Sequence, residues 1–264
     1  MAVDTVFVVG ISYAINTAVG FVVIGFLLGV ILCTKLRSNQ TFRIIATLCV
    51  VDLIQLWCFA VGSYVVIMGE ANMKDRPYIE RFAGALIQGT WMCMAYLELA
   101  LACNRLSVIA NLSWFKTMEQ LCLIITAVVG FYFTACLLFF KTHSHMDFRI
   151  LTWKCLPDTP LQSFNFKLGL GCSVIAMALN VIVYLAIGIY IATHKLVTRW
   201  KEIRFLIAIV GGFIYTLCLA CFYHYWWNLF NESRIVWVIQ HHAWIFLFTF
   251  VSLLHLYFNR CVPT

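Results

Sequence analysis

Residues 101–109 read LACNRLSVI, an arginine preceded by an asparagine inside a long apolar run. What that arginine does depends on the solvent around the run, and composition decides the solvent. The 264 residues are 63% hydrophobic and 11% charged, with a mean hydropathy of +0.93. Soluble domains run about 45–50% apolar and about 25% charged. A water-soluble fold cannot hide that much apolar surface, so the chain reads as an integral membrane protein.

A helix crossing the bilayer needs about 20 mostly apolar residues. Seven segments qualify, at about 6–33, 42–68, 82–109, 121–140, 168–192, 203–230 and 235–258. The expected fold class is an all-α seven-transmembrane helix bundle, with residues 1–264 as a single domain. The intervening stretches KLRSNQ, GEANMKDRPYIER, NLSWFKTMEQ, KTHSHMDFRILTWKCLPDTPLQSFNFK, THKLVTRWKE and NESR hold the turn and charge residues. The first span lacks a charged leader and a small-residue cleavage site, so it reads as a retained helix rather than a signal peptide. Few residues follow the seventh span, and no amphipathic eighth helix is expected among them.

The net charge of +7 follows from basic residues in short loops between apolar runs, as in the positive-inside rule, and does not call for nucleic acid. Lys35, Arg37, Arg43, Lys116, Lys195, Arg199, Lys201, Arg204 and Arg260 fall on one side. The opposite loops interleave their bases with Glu70, Asp75, Glu80, Asp147, Asp158 and Glu232. The bias puts the N-terminus outside and the C-terminus inside. Most of the 12 cysteines lie in apolar runs, where a free cysteine behaves as a small hydrophobe. No CxxC pair has a second pair behind it, so neither a zinc site nor any other metal site is expected.

Ionisable groups within the bilayer cost about 2.5–3.5 kcal/mol on insertion scales and are functional candidates by default. Asp52, mid-span in LCVVDLIQL, reads either as an acid hydrogen-bonded to a neighbouring helix or as a cation or proton site. Glu98 precedes Arg105 by two helical turns, on a similar side of the helix but too far away to pair with it. It reads as a core acid bonded to a nearby polar group or as a member of a network with Asp52. Arg105 ends the third span, where an arginine can simply snorkel to the interface.

Seven spans, an Asp in the second and an Arg ending the third resemble a rhodopsin-like G-protein-coupled receptor. LACNRLSVI and the terminal LLHLYFNR are similar to the nematode serpentine chemoreceptors, the Srx and Srt families in particular, in which an Asn-Arg pair stands for the Asp/Glu-Arg-Tyr triplet. The resemblance implies a small-molecule or peptide ligand, a heterotrimeric G-protein as partner and a multi-pass place in the cell membrane, in sensory cilia. It makes Asn104, Arg105 and Tyr257 the G-protein-coupling residues. It also makes Asp52 the counterpart of an allosteric Na+ position, with no other cofactor. Because Asn104 replaces the usual acid, the resting lock on Arg105 is expected to be weaker, or to use Glu202 instead. The pattern is incomplete: the sixth span has no proline, with Gly211–Gly212 as its flexible point, and Leu253–Leu254 stand where an Asn-Pro would. No cysteine opens the third span, where Glu80–Arg81 are found, so Cys155 lacks its expected partner.

Ligand cavities in bundles lie between helices, mostly apolar with a few placed polar groups. The residues expected to line one are Gln88, Trp91, Tyr223, Gln240, His241 and His242. Trp226 and Trp227 read either as pocket residues or as an interfacial aromatic belt. The seventh span has no lysine, which excludes a retinal Schiff base there. A second reading makes the chain a seven-span transporter or channel that relays ions or protons through Asp52 and Glu98, although it lacks the repeats and broken helices common in transporters. No HExxH, GxSxG or paired-Asp motif marks an enzyme.

Overall fold

The computed structural model describes residues 3–69, 78–112, 114–139, 145–147, 151–154, 160–193, 200–225 and 233–259. Among them seven helices are long and apolar enough to cross a membrane: α1 Val3–Cys33, α2 Gln40–Met68, α3 Tyr78–Ala110, α4 Trp114–Phe139, α5 Pro160–Thr193, α6 Trp200–Tyr225 and α7 Arg234–Asn259. The chain is a seven-helix transmembrane bundle. In hydrocarbon every backbone polar group must be satisfied within the segment, which is what a helix does. Pro160 stands at the first position of α5, where its missing N–H costs nothing.

The helices outrun the apolar spans read from sequence. α3 begins at Tyr78, α4 at Trp114 and α5 at Pro160, several residues before hydropathy alone would start them. The physical reason is that polar side chains do not end a helix when a neighbouring helix or strand supplies them with a hydrogen-bond partner. Three residues from stretches read as loops, Glu80, Glu119 and Asn165, become buried helical residues this way.

Helices α1, α3, α5 and α7 finish at the end of the bundle that carries Arg105, and α2, α4 and α6 begin there. α3 runs through the middle: 72% of its most apolar window is buried, against 28% for α1 and 22% for α5. Its contact with α4 is made close by Gly89 and Gly130. A Cβ on Gly89 would collide with Thr134 Oγ1, and one on Gly130 with Cys93 Sγ. After Arg105, α3 closes in a Schellman motif. Asn111 takes a left-handed conformation (φ 52°), and the Leu112 N–H donates to the Ser107 carbonyl at 3.2 Å.

At the opposite end, within the stretch read as a long loop, two strands form an antiparallel hairpin: β1 His145–Asp147 and β2 Thr152–Lys154, with Met146 opposite Trp153. The hairpin caps the bundle from within, since Met146 and Leu151 are fully buried. Gly62 of α2 makes room for it. A Cβ there would lie 2.6 Å from Met146 Cε and 3.1 Å from Trp153 Nε1. Leu151 adopts φ 56°, which costs an L-residue with a Cβ roughly 1–2 kcal/mol. Burial of its side chain and the bond from Tyr13 Oη to its carbonyl, 3.1 Å, hold it there.

Glu80, 1% exposed, tethers the hairpin: its Oε1 accepts the Met146 N–H at 2.9 Å. In the position where the resemblance would have put a cysteine, a carboxylate on a strand N–H thus links the hairpin to α3. Cys155 lies outside the described residues, and Cys172 is a free thiol. Leaving a buried donor without its acceptor costs about 1–3 kcal/mol. Glu80→Ala is therefore expected to speed hydrogen exchange at the Met146 amide and lower the unfolding temperature. Glu80→Gln, which keeps an acceptor oxygen, should retain most of the protection in the same measurement.

Candidate functional site

Among the described residues several polar places interrupt the apolar interior. The first is a cavity of about 100 Å³ beneath the hairpin. Gln55 and Phe59 of α2, Gln88 and Trp91 of α3, Thr152 and Trp153 of β2, Phe166 and Ser173 of α5, Tyr223 of α6 and His241 and Trp244 of α7 line it. Trp91 and Trp244 meet edge-to-face across it, with ring centroids 4.7 Å apart. His241 is 1% exposed. Its ring lies 4.1 Å from that of Tyr13 and 4.9 Å from that of Phe59, and its Nδ1 is 3.0 Å from Thr152 Oγ1. A fixed Nδ1 bond sets the direction of the other ring nitrogen, Nε2.

His241 and His242 are neighbours on a helix and so point about 100° apart. That gives them different surroundings. His242 turns to α1, where its Nε2 lies 3.0 Å from Ser12 Oγ and its Nδ1 3.4 Å from Asn16 Nδ2. It belongs to the α1–α7 seam and does not line the cavity. Gln240 is 3% exposed and is also absent from the lining. Of the six residues expected in the pocket, Gln88, Trp91, Tyr223 and His241 come together, and Gln240 and His242 do not. Trp226 and Trp227 lie outside the described residues.

The second place is a smaller cavity midway along the bundle, lined by Asp52, Glu98, Tyr184, Thr216, Ser252 and His255 among apolar residues such as Leu48, Leu101 and Phe248. Asp52 is 7% exposed and faces this interior. The Thr216 hydroxyl lies 3.1 Å from Glu98 Oε1 and 3.1 Å from the Gly212 carbonyl. Asp52 and Glu98 thus share one cavity, with α6 joined to α3 through Thr216. Gly212 allows α6 to approach α7, since a Cβ there would sit 3.1 Å from Val251 Cγ2.

The third place is a knot of hydrogen bonds at the Arg105 end. Asn104 is 5% exposed and Glu119 is fully buried. Asn104 Nδ2 donates to Glu119 Oε2 at 2.9 Å, and Gln40 Nε2 donates to Glu119 Oε1 at 2.6 Å. Asn104 Oδ1 accepts from Thr41 Oγ1 at 2.6 Å and from Arg105 Nη2 at 3.3 Å. One amide therefore joins α2, α3 and α4, and each carboxylate oxygen of Glu119 has a donor.

The chain matches, over residues 5–264, the family of serpentine type 7TM GPCR chemoreceptors named Srt. It belongs to that family. It is accordingly a G-protein-coupled-receptor-type chemoreceptor of the membrane. No curated protein matches it.

In this Srt chemoreceptor the three residues expected at the coupling end are not equivalent. Arg105 is half-buried against the knot. Asn104 is wholly inside it, so its amide is a structural joint rather than a contact surface. Tyr257 stands apart, 70% exposed on α7. The side chain of Glu202 lies outside the described residues; among them one acid, Glu119 of α4, is linked to Arg105 through Asn104. Glu119 was missed because it falls in NLSWFKTMEQ, a stretch polar enough to read as a loop. Gln55 and His255 were also missed. Gln55 lies three residues beyond Asp52, hence on the same helix face, and that spacing was the available signal.

Read from sequence, Asn104→Asp would add an ion-pair partner for Arg105. In the structure the same substitution also sets two carboxylate oxygens against each other where Asn104 Nδ2 now donates to Glu119. Asn104→Asp is expected to lower the unfolding temperature of the detergent-solubilised protein. Glu119→Gln added to it should restore stability, since the new amide can donate to Asp and still accept from Gln40. Contacting residues of this kind couple by about 0.5–3 kcal/mol, and a double-mutant cycle in which the two changes simply add would contradict the geometry.

Proposed function

We propose that this chemoreceptor takes a small molecule in the cavity under the hairpin and activates a heterotrimeric G-protein through the Arg105 end, with the N-terminus outside the cell and the C-terminus inside. The observation that carries the reading is the placement of the two sites at opposite ends of α3. Ligand groups and Arg105 are joined by one central helix that also bears Glu98. The size of the cavity favours a compact molecule over a peptide, being room for a few waters or one small organic body. Asp52, Glu98, Thr216 and Ser252 supply oxygen donors between the two ends, a set that fits a Na+ ion and links α2, α3, α6 and α7.

Arg105 enters this reading as the coupling residue. An interface anchor needs only a positive charge on a flexible stem, which Lys supplies. A contact that uses the planar fork of donors cannot be copied by Lys. Arg105→Lys should therefore reach the cell surface in normal amount yet lose most G-protein activation, read by surface labelling beside a panel of Gα reporters. Normal activation by this variant would leave Arg105 as an anchor. Ion flux in the same cells without G-protein activation would instead favour a relay through Asp52 and Glu98.

The proposed orientation has its own check. A tag placed after Thr264 should be invisible to antibody on intact cells and visible after permeabilisation. A tag before Met1 should be visible on both.

A further inference from the structure

The cavity under the hairpin carries more than a location. No Asp, Glu, Lys or Arg is among the described residues that line it. A charged ligand drawn into it would give up its hydration and meet no opposite charge, a cost of several kcal/mol. Three of the lining side chains carry buried hydrogen-bonding nitrogens without a partner among the described residues: Gln55 Nε2, His241 Nε2 and Trp153 Nε1, the last lying against Gly62 of α2. Gln55 is 2% exposed and His241 1%. Buried polar groups are nearly always satisfied, and an exception asks for a reason. Around them stand the ring faces and edges of Phe59, Trp91, Phe166 and Trp244.

From these observations we infer that the receptor's ligand class is the compact, uncharged molecule with an apolar or aromatic body and one hydroxyl or carbonyl group, bound with that oxygen between Gln55 Nε2 and His241 Nε2. The inference rests on the cavity being the ligand site. Gln55 Nε2 is a donor and asks for an oxygen acceptor. With Nδ1 engaged by Thr152, His241 Nε2 donates if Thr152 donates to Nδ1, and accepts if Nδ1 carries the proton. A ligand hydroxyl satisfies Gln55 in either case and His241 in both tautomers. A carbonyl does so in one. The aromatic side chains take the rest of the molecule by stacking and edge contacts, each worth about 0.5–1.5 kcal/mol beyond area burial. Gln55 then gives the bound oxygen a direct line to the second cavity, because Asp52 lies one turn away on the same face of α2.

The test uses the full-length receptor in detergent and three probes of one shape: benzyl alcohol, benzylamine and benzoate. Binding is read from the change in tryptophan fluorescence, to which Trp91 and Trp244 report. Benzyl alcohol is expected to bind at least about tenfold more tightly than either charged probe, since one unpaired buried charge outweighs any contact the probes share. Gln55→Leu removes the donor and keeps the volume, and should weaken benzyl alcohol about tenfold or more. A wild-type receptor that binds benzylamine or benzoate as tightly as the alcohol overturns the inference, as does one that binds none of the three at millimolar concentration. So does undiminished binding of benzyl alcohol by Gln55→Leu protein whose unfolding temperature shows it folded. Because fluorescence needs no G-protein, a receptor that prefers the neutral probe yet activates no Gα reporter sinks the coupling proposal and leaves this one standing.

Discussion

The carboxylate of Glu119, buried in an apolar bundle, is the constraint on which the Arg105 end depends. A buried acid is tolerable only when its oxygens are hydrogen-bonded, and the two donors come from different helices, Gln40 of α2 and Asn104 of α3. Meeting that requirement fixes the rotation of three helices at once. It also explains why α4 begins near Trp114, since a helix starting at the apolar run would leave Glu119 in a loop with nothing to hold it. Arg105 is then presented by a rigid joint, because the residue before it is locked from both sides of its amide. A neutral Asn suits this place better than an acid. It can donate to Glu119 with one end and accept from Thr41 and Arg105 with the other.

The same logic operates at the hairpin end with other partners. Glu80 accepts a strand N–H, Tyr13 reaches the Leu151 carbonyl, and Thr152 meets His241. Apolar packing cannot choose among helix rotations with much precision in lipid, where lipid tails compete for the same surfaces. Directional bonds between buried polar groups can. The glycines at 62, 89, 130 and 212 complement them by letting a hairpin or a neighbouring helix come close where a Cβ would intervene.

Between the two ends, Asp52, Glu98, Thr216 and His255 gather around one small cavity. Glu98 is joined to α6 through Thr216, and α6 meets α7 at Gly212. A movement of α6 relative to α3 would have to break or remake the Glu98–Thr216 contact. That places a polar bond, from the Thr216 hydroxyl to the Glu98 carboxyl, at the seam between α3 and α6.

Composition and hydropathy by themselves determined the membrane, the number of spans and the helical class, because those follow from solvent transfer and backbone hydrogen bonding, which each segment satisfies alone. Short motifs around Arg105 and in LLHLYFNR were enough to point to the serpentine chemoreceptors. Residues in apolar runs that cannot face lipid cheaply, such as Asp52 and Glu98, were legible for the same reason. What only the tertiary structure decided was partnership. Whether His241 or His242 reaches the cavity depends on helix rotation. Whether Glu119 is a loop charge or a buried joint depends on Asn104 and Gln40, 15 and 79 residues away along the chain. A polar side chain's role is set by the group it meets, and no local pattern in the chain encodes a meeting between distant helices.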